Sequence, residues 1–197
     1  MKLLVASGNK HKVAEIAVLL QDTAWEVCSL ADFPDVELPP EDADTFIGNA
    51  FIKAAAAAAA TGLWTLADDS GLAVDALGGA PGVYSARYAG EQKDDAANNA
   101  KLLEDLRDVP EGERTARFVC ALALVSPDGQ TASAEGFCEG SIIFEERGTM
   151  GFGYDPLFLL ADGRQTMAEL DMDAKNEVSH RAAALREMLP ILRRLAE

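Results

Sequence analysis

Lys2-Leu3-Leu4-Val5-Ala6-Ser7-Gly8-Asn9-Lys10-His11-Lys12 is the stretch whose reading decides the fold. Residues 2–6 read as a buried strand. From Lys10 to Leu20 the apolar residues Val13, Ile16, Ala17 and Leu20 return at helical spacing. A strand that feeds directly into a helix opens an α/β architecture. The turn between them is unusual in its charge. A helix start carries partial positive charge and favours acids, yet Lys10, His11 and Lys12 sit there in a chain of formal net charge -16. The placement makes sense if an anion binds at the turn, because backbone N–H groups at a helix start favour phosphate. Ser179-His180-Arg181 repeats the pattern at the opening of the last amphipathic stretch. Two such starts point to a ligand with several phosphates. The plain alternative carries equal weight at this point: Asn9 and Ser179 as ordinary helix caps with solvated neighbours.

The 197 residues suffice for one substantial domain or one domain with two lobes. Hydrophobic residues are 49% and charged residues 25%, a globular composition with no tract poor enough in apolar residues to predict disorder. The apolar runs fall short of the roughly 18 residues that would span a membrane. The first residues are too short an apolar run for a signal peptide, and Asn9 to Lys12 interrupts them. The expectation is a cytoplasmic protein. Cys28, Cys120 and Cys138 are odd in number and widely spaced, which argues against a disulfide framework or a zinc site. Strong acidity argues against wrapping DNA or RNA. It leaves room for a single nucleotide held by a metal and a few local bases.

Further along, Trp25–Ser29 reads as a strand and 31–44, with Pro34, Pro39 and Pro40, as a loop. Thr45–Thr61 reads as a helix whose seven alanines, 54–60, are helix-forming and close-packing material with no chemistry of their own. Leu63–Ala67 reads as a short strand ending at Asp68-Asp69-Ser70-Gly71. Then come a Gly-rich loop over 76–92, a helix over Asp94–Asp108, and two long strands, Thr115–Ser126 and Thr131–Phe144. A second Gly-rich loop over 148–155, a strand over Leu157–Leu160 and a helix from His180 to about Leu195 complete the chain. There is no internal repeat and no linker that splits it.

Two adjacent carboxylates, Asp68 and Asp69, at the end of a strand would repel each other without a cation. Hard oxygen ligands suit Mg²⁺, which keeps several waters and bridges to phosphates. The competing reading is an acidic turn. Glu41 and Asp42 in the preceding loop offer a further carboxylate. In Gly151-Phe152-Gly153-Tyr154-Asp155-Pro156 the glycines allow close approach to the backbone, and Phe152 or Tyr154 offers a ring for a base to stack on. The competing reading is a tight turn with its aromatics folded into the core. Lys175, four residues before the Ser179 cap, could reach the same site; taken singly it is a surface lysine. The chain has no Gly-x-x-x-x-Gly-Lys-Ser/Thr loop, no dinucleotide-binding fingerprint and no Gly-x-Ser-x-Gly elbow.

Six segments occur together in one order: Ser7-Gly8-Asn9-x-x-Lys12, Thr45-Phe46-x-x-Asn49-Ala50, Ala67-Asp68-Asp69-Ser70-Gly71-Leu72, Gly78-Gly79-Ala80-Pro81-Gly82-Val83-Tyr84-Ser85-Ala86-Arg87, Gly151-Phe152-Gly153-Tyr154-Asp155-Pro156 and Lys175-Asn176-x-x-Ser179-His180-Arg181. In this the chain resembles the inosine triphosphate pyrophosphatases, the non-canonical purine nucleoside triphosphate pyrophosphatases, over nearly its whole length. The resemblance implies an elongated mixed α/β sheet with helices, two lobes flanking a central substrate cleft, and a homodimer. It implies Mg²⁺-dependent hydrolysis of ITP, dITP or XTP to the monophosphate and pyrophosphate. It also implies roles. Ser7, Gly8, Asn9, Lys10, His11 and Lys12 would form the phosphate loop. Asp69 would be metal ligand and proton acceptor, Glu41 a metal ligand, and Ser70 a substrate contact. Phe152, Gly153, Tyr154, Asp155, Lys175, His180 and Arg181 would form the nucleotide and base pocket.

The chain departs from the family pattern twice. Gly48 stands where an acid is common, and Ala43 stands where glycine is usual. Two other functions fit the same residues, a Mg²⁺ phosphatase with an aspartate nucleophile and a nucleotide-binding regulator without turnover. The products released from a triphosphate separate all three.

Overall fold

A computed structural model of the chain describes residues 1–196. Six strands form one mixed sheet: β1 (Lys2–Val5), β2 (Glu26–Ser29), β3 (Trp64–Val74), β4 (Thr115–Val125), β5 (Thr131–Ile142) and β6 (Phe158–Leu160), in the order β2-β1-β3-β4-β5-β6. β1 runs parallel to β2 and β3, and β5 antiparallel to β6. Five helices accompany them: α1 (Lys10–Leu20), α2 (Phe46–Thr61), α3 (Asp95–Asp105), α4 (Met172–Val178) and α5 (His180–Leu195). None is long and apolar enough to cross a membrane. Asn9 caps α1 by accepting from the N–H groups of His11 and Lys12, and Thr45 caps α2. Gly62 ends α2 in the left-handed region, where glycine carries no side-chain penalty.

The chain divides into two compact units. The first comprises Met1–Asp69, Cys120–Gly136 and the segment from Arg181 onward; the second comprises Ser70–Val119 and Phe137–His180. In the first unit the two-residue alternation of a strand sorts side chains onto opposite sheet faces. Leu3, Val5 and Leu66 pack with Ile16 and Leu20 of α1 and with Leu185, Met188 and Leu192 of α5. Leu4, Ala6 and Ala67 pack instead on Ala50, Ala54, Ala57 and Ala58 of α2. The alanine run thus lets α2 lie close to the sheet. Leu30, Phe33, Val36 and Leu38 of the proline-rich loop pack onto this same cluster and tie the loop down. The second unit closes around Leu72, Phe118, Tyr154, Phe158 and Met167, with Leu102 and Leu106 of α3.

Two expectations change. β3 does not end at Ala67; it runs through Asp68, Asp69, Ser70 and Gly71 to Val74. Its apolar signal stops early because polar residues occupy the middle of the strand. The segment before Ser179 also holds an unexpected short helix, α4, capped by Asp171. Its seven residues offer too little periodicity to read.

Candidate functional site

The alternation of β3 separates the paired carboxylates. Asp68 shares the Leu66 face and meets α1 and α5; Asp69 shares the Ala67 face and meets α2. The two carboxylates do not converge on a common cation, and neither lies in a turn, so both the shared cation and the competing acidic turn are set aside.

Asp68 is buried and is the centre of a charged cluster. One oxygen lies 2.5 Å from Lys12 Nζ. The other accepts from Arg181 Nε at 2.8 Å and faces the Cys120 thiol at 3.1 Å. Arg181, also buried, donates to Glu15 as well. Burial opposes ionisation of Asp68, but the charges of Arg181 and Lys12 and their hydrogen bonds outweigh it and hold the carboxyl well below the usual range. The basic residue at the start of α1 therefore has a protein anion as a partner. An ammonium has three donors, so Lys12 keeps capacity for a phosphate oxygen. Around it, the Asn9 amide N–H donates to Ser7 Oγ at 3.2 Å, and a Cβ added at Gly8 would meet nothing within 4 Å. A ligand can therefore come close to the backbone there. Lys10 and His11 are exposed on the same turn.

Asp69 is buried on the other face. Its Oδ1 lies 3.2 Å from Lys53 Nζ, and its Oδ2 accepts from the Asn49 amide at 3.3 Å. Lys53 Nζ also reaches Glu41 Oε2 at 3.0 Å and the Asp68 carbonyl at 2.9 Å. Burial pushes the Asp69 carboxyl up to about 6, and the Glu41 charge adds to the effect against the pull of Lys53 and Lys12. Glu41 moves the other way: burial opposes its ionisation, and the Lys53 ammonium overcomes this. The cluster thus holds a carboxyl that exchanges a proton near neutral pH beside one that stays ionised.

Lys53 and Asn49 were missed in the sequence because they sit in an alanine-rich helix. The available signal was their spacing: four residues apart, they share the buried stripe of Ala50, Ala54, Ala57 and Ala58. The two departures from the family pattern prove to be one steric exchange. A Cβ at Gly48 would lie 2.7 Å from Ala43 Cβ and 2.9 Å from Thr45 Oγ1, so the methyl at 43 occupies space that a side chain at 48 would need. The Ala43 N–H donates to Asn49 Oδ1 at 2.9 Å, which holds the Glu41 loop against α2.

The second unit holds the other predicted residues. Gly151 has φ +80, and a Cβ there would lie 2.1 Å from Asp155 Oδ2. That same oxygen accepts from the Phe152 N–H at 3.0 Å and from Lys175 Nζ at 2.7 Å. Lys175 Nζ lies 4.7 Å from the centroid of the Phe152 ring. Phe152 is half-buried while Tyr154 is buried, its hydroxyl donating to the Ser85 carbonyl at 2.7 Å. Phe152 is therefore the more exposed of the two rings, and Tyr154 belongs to the core. The His180 ring stacks on Phe118 at 4.9 Å and 17°. Ser179 lies extended between α4 and α5, its N–H donating to the Lys175 carbonyl. Ser70 is half-buried in β3.

Known proteins are similar to this chain over nearly its whole length. A sequence model of the Ham1 family matches residues 3–191. The dITP/XTP pyrophosphatase of Desulforamulus reducens is 56% identical over 99% of this chain and 97% of its own length. That of Bacillus subtilis is 49% identical over 96% of each. Among solved structures, a HAM1 protein from Coxiella burnetii superposes with a TM-score of 0.89 at 42% identity, covering 98% of each chain. A dITP/XTP pyrophosphatase from Mycobacterium abscessus gives 0.79 at 49% identity, covering 96% of this chain and 100% of its own.

Proposed function

The chain belongs to the Ham1 family, and from that premise we propose that it hydrolyses ITP, dITP and XTP to the monophosphate and pyrophosphate by attack of water at the α-phosphorus. It is a nucleoside triphosphate pyrophosphatase, as its relatives are named. The observation that carries the mechanism is the Asp69 carboxylate, buried on one face of β3 and held at both oxygens, by Lys53 and by Asn49. A carboxylate fixed in place suits removal of a proton from water. Two fixed oxygens suit a base better than a nucleophile that must swing onto phosphorus.

Mg²⁺ fits the donor set. Glu41 and Asp69 would hold it, since their carboxylates already converge on one cation, the Lys53 ammonium. Among the described residues no three Asp, Glu, His or Cys side chains group together. Two carboxylates would leave positions for water and phosphate oxygens, the arrangement Mg²⁺ prefers. When bound, the ion supplies charge screening and a more acidic water. Asp69 accepts the proton, and Lys53 keeps Asp69 and Glu41 in register. Lys12 and the N–H groups of Gly8 and Lys10 stabilise charge on the phosphates and the departing pyrophosphate, with Ser7, Asn9 and His11 framing the turn.

In the second unit Phe152 stacks on the purine, while Gly153, Tyr154, Asp155 and Lys175 hold that platform. Ser70 contacts the substrate, and His180 and Arg181 read the 6-oxo group. The chain is read as a single two-lobed domain. The reading extends to a cytoplasmic homodimer that binds no nucleic acid. The test is incubation with ITP and Mg²⁺ followed by ion-exchange analysis. Inosine monophosphate and pyrophosphate in equal amounts are expected. Inosine diphosphate with orthophosphate would overturn the reading.

A further inference from the structure

Two polar side chains on α3, Asp95 and Asn99, end on the same residue of the Gly-rich loop. The Asp95 carboxylate accepts from the Gly153 N–H at 2.7 Å. The Asn99 amide donates to the Gly153 carbonyl at 3.2 Å. Residues four apart face the same way on a helix, so α3 grips both polar groups of one loop residue. The Asn99 amide nitrogen donates at the same time to Glu146 at 3.0 Å, which fixes its orientation. Gly153 itself has φ +61.

The consequence falls on Phe152. The residue before it, Gly151, is packed against Asp155 Oδ2, and the Phe152 N–H donates to that same oxygen. The residue after it is held at nitrogen and oxygen by α3. Tyr154, next in line, is tethered to Ser85. The backbone on both sides of the ring is therefore fixed by side chains, and a turn needs no such support to close. What these bonds determine is the direction in which the Phe152 ring leaves the chain.

We propose that Asp95 and Asn99 are positioning residues for nucleobase binding: by holding the Gly153 peptide groups they pre-set the plane of Phe152 against which the purine stacks. The inference rests on the reading of Phe152 as the base platform. Neither side chain touches the nucleotide. A ring that must first be ordered costs binding energy, and fixing it in advance removes that cost.

The test compares two ligands that share phosphate chemistry but differ in the base. Inosine monophosphate carries the base; inorganic tripolyphosphate lacks it. Binding of each is measured by competition against ITP hydrolysis. Asp95→Ala is expected to weaken inosine monophosphate roughly 3- to 10-fold and to raise KM for ITP with kcat little changed, leaving tripolyphosphate within about twofold. Asp95→Asn keeps a carbonyl oxygen toward the Gly153 N–H and should restore binding. Asn99→Ala should act in the same direction where its thermal melt shows a folded protein. Asp95 is exposed, so its variants carry the test if Asn99→Ala does not fold. Equal weakening of both ligands by Asp95→Ala, or of neither, overturns the inference. Phe152→Ala separates the two levels. If it binds inosine monophosphate as the parent does, the base-platform reading itself fails. If it weakens binding while Asp95→Ala does not, only the role of α3 fails.

Discussion

Asp68 and Asp69 are chain neighbours whose carboxylates lie on opposite faces of β3, one bound to Lys12 and Arg181, the other to Lys53 and Asn49. The strand's two-residue period makes this unavoidable once β3 continues past Ala67. It also gives the two acids different chemistry. The first has two cations and stays charged; the second has one cation, another acid and a raised pKa.

Asp69→Asn should keep the fold and lose activity by about 10²–10⁴-fold, the usual effect of removing a general base. It should also stabilise the ligand-free protein at alkaline pH. Asp69 binds its proton more tightly folded, with a pKa of about 6, than unfolded. Folding stability from this group is therefore present at low pH and lost as pH rises from about 4 through 6. The variant carries no such loss, so it should be more stable at pH 8 by on the order of 1–3 kcal/mol, with no gain at pH 4. Urea denaturation at the two pH values checks both ends. Near-parental turnover in saturating Mg²⁺ would remove Asp69 from the mechanism.

Asp68→Asn should behave in the opposite way. The Asp68 carboxyl is held far below its ordinary value, so its contribution is present above about pH 4 and lost in acid. Neutralising it leaves the buried guanidinium of Arg181 with Glu15 and strips Lys12 of its partner. Removing one member of a buried ion pair costs about 3–5 kcal/mol. The difference from the parent should be full at pH 7 and shrink in acid. A variant as stable as the parent at pH 7 would show that Lys12 and Arg181 do not depend on Asp68.

The legible part of the sequence was whatever obeys local rules. The β1–α1 junction, the helix over 45–61 and the extent of α5 follow from periodicity, and the structure has them within a residue or two. The Phe152 loop stood out by its glycines, with a tight turn as the competing reading; that Tyr154 of the two rings folds into the core was not legible. The charged clusters were not. Lys12 could be seen as misplaced, but Asp68 as its partner depends on which face of β3 each acid takes, and that depends on where β3 ends. Lys53 was hidden for a similar reason. A lysine among alanines looks like a surface residue until the proline-rich loop, anchored through Phe33, Val36 and Leu38, covers it with Glu41.

Lys53→Met tests that cover. The change keeps much of the apolar stem and removes the ammonium that bridges Glu41, Asp69 and the Asp68 carbonyl. Two carboxylates without their cation repel, and the register needed for a metal-assisted step is lost. Turnover should fall by about 10²-fold or more, the scale of losing a transition-state electrostatic contact. Excess Mg²⁺ should recover part of it by supplying positive charge at the same carboxylates. Unchanged kcat at ordinary Mg²⁺ would make Lys53 a packing residue only.

The Ala43–Gly48 exchange predicts a signed coupling. Gly→Ala inside a helix normally gains up to about 1 kcal/mol. Here Gly48→Ala should instead lose about 1–3 kcal/mol, because the new methyl overpacks against Ala43 and Thr45. Ala43→Gly in the same chain should return the helix gain. Thermal melts of the two single variants and the double variant complete the cycle. Additive effects would show that the loop yields freely and that the close approach carries no weight.

The proposed reading of the base by its 6-substituent is most exposed at Arg181. Arginine only donates hydrogen bonds. A 6-oxo group accepts one; the 6-amino group of adenine presents donor against donor, and a site built for a polar group can reject its mismatch by up to about 10⁴-fold. Arg181 is also bound to Asp68 and Glu15, so Arg181→Ala should cost about 3–5 kcal/mol of stability whatever it does to substrates. The informative quantity is therefore a ratio measured on the folded fraction. kcat/KM for ITP should fall further than that for ATP, narrowing their ratio, because only ITP loses an acceptor's partner. If both fall by the same factor, Arg181 serves by holding Asp68 and Lys12 for the phosphates, and recognition of the 6-oxo group passes to His180.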